Sequence, residues 1–156
     1  PGVQGGPHNH QTAAIAVMFE EMQTASFKKY GHQIIKNAKV LATELNKYEF
    51  NLISGGTDNH LLLVDLKNKN IGGMDAEKLY SAAGLIANRN TVPGDTTPFN
   101  PTGIRMGTPS ATSRGMKEKE MKQIASWIHR LINLKESPEK IRKEVVTLCK
   151  KFPLPY

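Results

Sequence analysis

The sequence predicts an α+β fold: a small two-layer domain, with helices on one face of a mostly antiparallel sheet, preceded by an N-terminal helical arm. Three observations point there. Apolar residues recur at helical spacing in five separate segments. Four short apolar or alternating runs, bounded by Gly, Pro and Asn, read as strands. The order is helix, helix, strand, strand, helix, strand, strand, helix, helix, which suits neither a bundle nor a doubly wound sheet.

The elements follow in order. Residues 1–7, PGVQGGP, form a glycine-rich loop whose amides at Gly5 and Gly6 can face an anion, although these residues by themselves favour an ordinary turn. His8 and His10, two apart, suit capping or packing better than a metal. A first helix is expected over Gln11 to Met22, on Ala14, Ile15, Met18, Phe19 and Met22. A second is expected over Phe27 to Lys47, with Ser26 as N-cap and Phe27, Tyr30, Ile34, Ala38, Leu41 and Leu45 as its stripe. At about 20 residues, or roughly 30 Å, it is long enough to link two lobes.

Phe50 to Ser54 is a short strand entering the Gly55–Gly56 turn. Leu61 to Leu66 is nearly continuous apolar sequence and should be a buried central strand. Thr57, Asp58, Asn59 and His60 between them make a polar corner, expected to be a side-chain-to-backbone turn network. Asp75 should cap a helix over Ala76 to Ala83, burying Leu79 and Ala82 or Ala83 and stopping at Gly84. Ile86 to Val92 is the third strand, with Ile86, Asn88 and Asn90 on one face and Ala87, Arg89 and Thr91 on the other. Ile104 to Thr108 is the fourth. Helices over Lys117 to Asn133 and from Pro138, capped by Ser137, complete the chain. They turn Met121, Ile124, Ala125, Ile128 and Leu131, then Ile141, Val145, Leu148 and Phe152, inward. The expected division is a loop and linker helices over residues 1–47 and a small α+β domain over 48–156.

The stretch from Asn88 to Pro109, NRNTVPGDTTPFNPTGIRMGTP, organises the rest. It leaves a strand, crosses a loop stiffened by Pro93, Pro98 and Pro101, and re-enters a strand holding Arg105 between Ile104 and Met106. A half-buried guanidinium needs an anion. Its planar fork suits a carboxylate held by two parallel hydrogen bonds. Asn90, at the strand end, can donate and accept together, as a heterocycle edge requires; capping the turn is the competing role.

The formal net charge is +7, with 38% hydrophobic residues. The lysines are spread along helical faces without aromatic interleaving, which argues against nucleic acid. No apolar run is long enough to span a bilayer, so no membrane partner is expected. Cys149 stands alone, excluding an internal disulfide framework and suiting a reducing compartment. No Ser/His/Asp or Cys/His constellation, metal-ligand spacing or Walker-type loop is readable. The chain opens at Pro1, without methionine and inside a loop, so a piece of a longer polypeptide is expected. A carboxylate clamp and a phosphate turn without their own acid or base make half an active site.

Four motifs carry a resemblance. QGGPHNH over 4–10, SGGTDNHLLLVDL over 54–66, NRNTVPGD over 88–95 and GIRMGTPSATSRG over 103–115 resemble the serine hydroxymethyltransferase family, in order and with matching gaps. The resemblance implies the C-terminal part of a fold-type I pyridoxal-phosphate enzyme. It implies that the cofactor lysine, in a T-T-H-K type segment, lies upstream of Pro1, as do the ring-stacking histidine, the lobe's tyrosines and the acid/base glutamate. Carried over residue by residue, Arg105 matches the arginine that binds the amino-acid carboxylate. Gly5 and Gly6 match the glycines whose backbone meets the cofactor phosphate of the neighbouring subunit. Asn90 matches the asparagine at the folate pterin, and Thr96, Thr97 and Pro98 the loop lining that site. The implied reaction is reversible one-carbon transfer from serine to tetrahydrofolate, giving glycine. The implied partners are serine or glycine, tetrahydrofolate, the enzyme's own N-terminal domain and a second subunit, in a homodimer or tetramer. A cytoplasmic setting is expected, with a mitochondrial or other organellar form left open. No catalytic residue and no metal ligand is expected in these 156 residues, which alone should be inactive. The alternative class is a non-catalytic module that binds folate or an amino acid.

Overall fold

A computed structural model describes residues 2–155. The chain divides between His32 and Gln33 into two compact units. The first holds helix α1, Asn9–Met22, and the opening of helix α2, Ala25–Lys47. α1 starts two residues before the expected Gln11, with His8 at its N-cap. It buries none of its residues: Ile15, Met18, Phe19 and Met22 keep the helical spacing but remain exposed. The cap of α2 is Thr24 and not Ser26. Thr24 Oγ1 accepts the Phe27 N–H at 3.2 Å, whereas Ser26 falls inside the first turn, too late to reach that amide.

The second unit is built on a four-stranded sheet. Its strands are β1, Asn51–Leu52, β2, Leu61–Asp65, β3, Asn88–Asn90, and β4, Gly103–Gly107. They lie in the order β1-β2-β4-β3, every pair antiparallel. The first and third strands are shorter than expected. Beyond Leu52 the chain turns into a 3-10 segment, Ile53–Gly55, where Ser54 sits at φ 60°, and only three residues of the Ile86 to Val92 run reach the ladder. The fourth strand starts at Gly103 and ends at Gly107, one residue early at each end.

β2 is central, but it is not buried on both sides. Leu62 and Val64 are buried, while Leu61 is exposed and Leu63 half-buried. One face of the sheet carries Leu52, Leu62, Val64, Ile104 and Met106 into the core. The register puts Leu63 opposite Arg105 and Arg105 opposite Asn88, on the face the helices leave open. This makes the fold a two-layer α+β.

Helix α3, Gly73–Ala83, begins before the expected cap: Gly72 is the N-cap and Asp75 stands within the first turn. The Gly73 N–H donates to Pro101 O at 3.0 Å, and a Cβ on Gly73 would lie 2.6 Å from Gly103 O, so the helix starts where only glycine fits. Besides Ala76 and Ala83 it buries Tyr80, which the spacing missed, and Leu79 is only half-buried. Burial pushes the Tyr80 phenol far above its ordinary pKa. Gly84, at φ 82°, ends the helix as expected.

A short helix α4, Pro109–Ser113, was not anticipated. It closes over a buried polar knot. Asn37 on α2, wholly buried, donates to Thr112 Oγ1 at 2.8 Å and to Met116 O at 3.0 Å, and accepts from Gln33 Nε2 at 2.9 Å. Helix α5, Glu118–Ile132, begins with Glu120 accepting the Lys117 N–H at 2.9 Å. Helix α6, Pro138–Lys151, has Ser137 at its cap position, but that hydroxyl turns to the Glu139 carboxylate instead of the backbone. α6 buries Ile141 and Val145, with Leu148 and Phe152 partly covered. Arg130 joins α5 to α6, bonding Glu136 at 2.8 Å and Glu144 at 2.6 Å. These bonds hold both carboxyls down at about 2.

Candidate functional site

The open face of the sheet holds the candidate site. Arg105 and Asn90 line one shallow cavity of about 390 Å³ with Thr57, Asp58, Asn59 and Leu63. The antiparallel register explains why they meet: Asn90 stands opposite Gly103 and Arg105 opposite Asn88, so both side chains leave the sheet on the same side. Arg89, between the two asparagines, turns the other way to the Glu77 carboxylate at 2.5 Å, and Glu77 also accepts the Arg89 N–H at 3.1 Å. These bonds, led by the one to the Arg89 backbone, hold the Glu77 carboxyl below its ordinary pKa.

Arg105 is exposed, not half-buried as expected, because the described helices of the second unit pack on the other face of the sheet. Its guanidinium engages no acceptor among the described residues. Asp65, the acid nearest it in register on that face, is occupied: it accepts from Asn51 Nδ2 at 3.5 Å and from the Lys67 N–H at 2.9 Å. The five donors of Arg105 therefore stay available in the cavity wall. Asn90 Nδ2 donates to Thr91 O at 2.9 Å, a local turn contact that leaves the amide oxygen free.

The polar corner is a turn network, as expected. Thr57 Oγ1 accepts the Asn59 N–H at 3.2 Å and Asn59 Oδ1 accepts the Leu61 N–H at 2.8 Å. That network also shapes the cavity floor, since Thr57 and Asn59 line it.

Thr96, Thr97 and Pro98 do not line this cavity; they sit on the loop between β3 and β4. Asp95 ties the base of that loop. Its Oδ2 accepts the N–H groups of Val92 and Thr102, both at 3.0 Å, and its Oδ1 accepts the Thr102 hydroxyl at 2.5 Å. Lys67 Nζ adds a contact to Asp95 at 3.3 Å and donates to Pro93 O at 3.0 Å. The Thr102 hydroxyl and the two backbone amides hold the Asp95 carboxyl far below the usual carboxylate range. The prolines are the stiffening element the sequence predicts, and the anchoring carboxylate of Asp95 lies outside that expectation. The PGD triplet was the available signal, because an Asp closing a Pro-Gly turn commonly accepts nearby amides.

Gly5 and Gly6 lie in the first unit, in an exposed segment ahead of α1. Neither amide donates a hydrogen bond among the described residues, and a Cβ on either would meet nothing within 4 Å. Two accessible N–H donors fit the chemistry of a phosphate. No group of three or more His, Cys, Asp or Glu that could hold a metal occurs among the described residues. No helix there is long and apolar enough to cross a membrane.

A model of the serine hydroxymethyltransferase family matches residues 1–128. The chain belongs to the serine hydroxymethyltransferase family. Enzymes of this family are pyridoxal-phosphate-dependent transferases. The match runs through the sheet, the loop carrying Asp95 and most of α5, and so contains every residue of the candidate site. α6, over Pro138–Lys151, lies beyond it. α6 closes the core through Ile141 and Val145, away from the open sheet face.

Proposed function

We propose that this chain supplies the substrate-carboxylate clamp and part of the folate site of a serine hydroxymethyltransferase. That enzyme interconverts serine plus tetrahydrofolate with glycine plus 5,10-methylenetetrahydrofolate. The observation that carries the reading is the arginine on the open sheet face: Arg105 shares a cavity wall with Asn90 and has no acceptor among the described residues. An exposed fork without a protein partner, flanked by an asparagine with a free amide oxygen, suits a carboxylate-bearing substrate beside a heterocycle.

Arg105 would take the serine carboxylate in two parallel N–H···O bonds. That fixes the rotation of the substrate about Cα, so its contribution is orientation. Asn90 would offer its amide oxygen and remaining amide hydrogen to the pterin ring, and the loop of Thr96, Thr97 and Pro98 would flank it. Gly5 and Gly6 would donate backbone N–H groups to the cofactor phosphate, in the arrangement where one subunit serves its neighbour. Pyridoxal phosphate, when bound, supplies the electron sink that stabilises negative charge at Cα. On this reading the lysine that carries it lies outside these 156 residues, and the N-terminal domain and a second subunit would complete the site.

The test is Arg105→Lys in the complete enzyme. Lysine keeps the charge and loses the fork. Serine affinity should fall by about tenfold or more, the loss of one charge-assisted bond, while pyridoxal-phosphate affinity holds within about twofold. Serine binding near wild type would remove Arg105 from the role assigned to it.

A further inference from the structure

We propose that Asp95 is a positioning residue for the second substrate: it holds the loop of Thr96, Thr97 and Pro98 in the pose that tetrahydrofolate meets. The proposal deepens the functional reading above and rests on it for the identity of that substrate.

The geometry concerns how the loop is tethered. Asp95 closes the loop at its base, where the chain leaves β3 and returns to β4. Its side chain is 3% exposed and collects two backbone amides, one hydroxyl and one ammonium. Val92 lies two residues after Asn90 and Thr102 one residue before β4, so a single carboxylate draws the two ends together. Lys67 then fastens this knot to the end of β2, reaching Asp95 at 3.3 Å and Pro93 O at 3.0 Å.

Beyond the knot the loop has little else to hold it. From Thr96 to Asn100 the described bonding is one local contact, the Phe99 N–H to Thr97 Oγ1 at 3.3 Å. Pro101 O is taken by the Gly73 N–H, which fixes the return point. Phe99 at the tip is 87% exposed. The tip therefore inherits its direction from the base, where the Asp95 carboxylate joins the two ends beside two backbone bonds, Asp95 N–H to Val92 O and Leu66 N–H to Thr102 O, both at 3.1 Å. Arg105 and Asn90 differ in this respect: they stand in the ladder itself, paired through β4 and β3, and keep their places without the carboxylate. Loss of Asp95 should thus fall on the loop and on the ligand it meets, sparing the arginine and the serine it would hold.

The chemistry of substitution is graded. Asp95→Ala removes all four contacts. Asp95→Asn can keep its oxygen towards the two amides but turns an NH2 group towards Lys67, donor against donor. Lys67→Met leaves the Asp95 bonds to Val92 and Thr102 in place, as well as the Leu66 N–H bond to Thr102 O, and removes only the ammonium contacts to Asp95 and Pro93 O.

The experiment is steady-state kinetics on the complete enzyme with cofactor bound, varying tetrahydrofolate and serine separately, for these three variants and Asn90→Ala. Asp95→Ala should raise KM for tetrahydrofolate about tenfold, from ordering entropy now lost on binding, and leave KM for serine within about twofold. Asp95→Asn and Lys67→Met should each raise the tetrahydrofolate KM about threefold, and they carry the test if Asp95→Ala does not fold. Equal rises in both KM values would make Asp95 a general structural residue and overturn the proposal, as would an unchanged tetrahydrofolate KM in folded variants. Asn90→Ala separates the two layers. If it raises the tetrahydrofolate KM while the Asp95 and Lys67 variants do not, the positioning role fails and the functional reading survives. If Asn90→Ala also leaves that KM unchanged, the assignment of this face to tetrahydrofolate fails.

Discussion

Gly103 is the point where a single methyl group should do most damage to the sheet. It opens β4 opposite Asn90 and Asp65. An added Cβ would lie 2.3 Å from Val92 Cγ1, 2.8 Å from Asn90 O and 3.1 Å from Val64 O. Val92 can swing aside, but the two carbonyls belong to neighbouring strands and yield only if the strands part. Overpacking of this kind costs about 1–3 kcal/mol, and the backbone contacts put Gly103→Ala in the upper part of that range. Reduced freedom in the unfolded chain returns about 0.4–1 kcal/mol. The net expectation is a loss of about 2 kcal/mol. With a urea slope near 2 kcal/mol/M, the midpoint should fall by about 1 M. Far-UV circular dichroism in urea measures it directly. Gly31→Ala is the internal comparison, because a Cβ there meets nothing within 4 Å and Gly31 lies inside α2. It should gain about 0.5–1 kcal/mol of helix stability. A Gly103→Ala midpoint at or above wild type, with an unchanged slope, would refute the steric reasoning.

Two further outcomes follow from buried and charged contacts. Asn37→Ala removes bonds to Gln33, Thr112 and Met116 from a fully buried site, so urea titration should show a loss of about 2–4 kcal/mol; less than 1 kcal/mol would mean that water replaces the amide at little cost. The Arg130 cluster predicts acid sensitivity. The Arg130 guanidinium holds the Glu136 and Glu144 carboxyls at about 2 when folded, below the ordinary 4.5, so their contribution is complete above pH 5 and disappears as pH falls towards 2. Arg130→Met should flatten the stability profile in that window relative to wild type, and parallel profiles would show that the cluster contributes nothing there.

The amino-acid sequence determined the class of the fold, because periodicity is a local property. The stripes of α2, α5 and α6 repeat at about 3.6 residues, and the stop at Gly84 and the apolar run of β2 are equally local signals. It also determined that Asn90 and Arg105 bracket one loop, and its motifs matched the family that residues 1–128 belong to. What tertiary structure decided was anything that depends on an approach between distant segments. The start of α3 depends on Gly73 meeting Pro101, the shortening of β3 on which residues find a partner in β4, and the buried place of Asn37 on Thr112 and Met116. The exposure of Arg105 was decided in the same way. A strand reads alike whether helices cover one of its faces or both, so only the assembled sheet shows that guanidinium exposed in a cavity wall. Asp95 makes the same point for the loop: its carboxylate is one acidic residue among many in the sequence, and it becomes a clamp only when Val92, Thr102 and Lys67 converge on it.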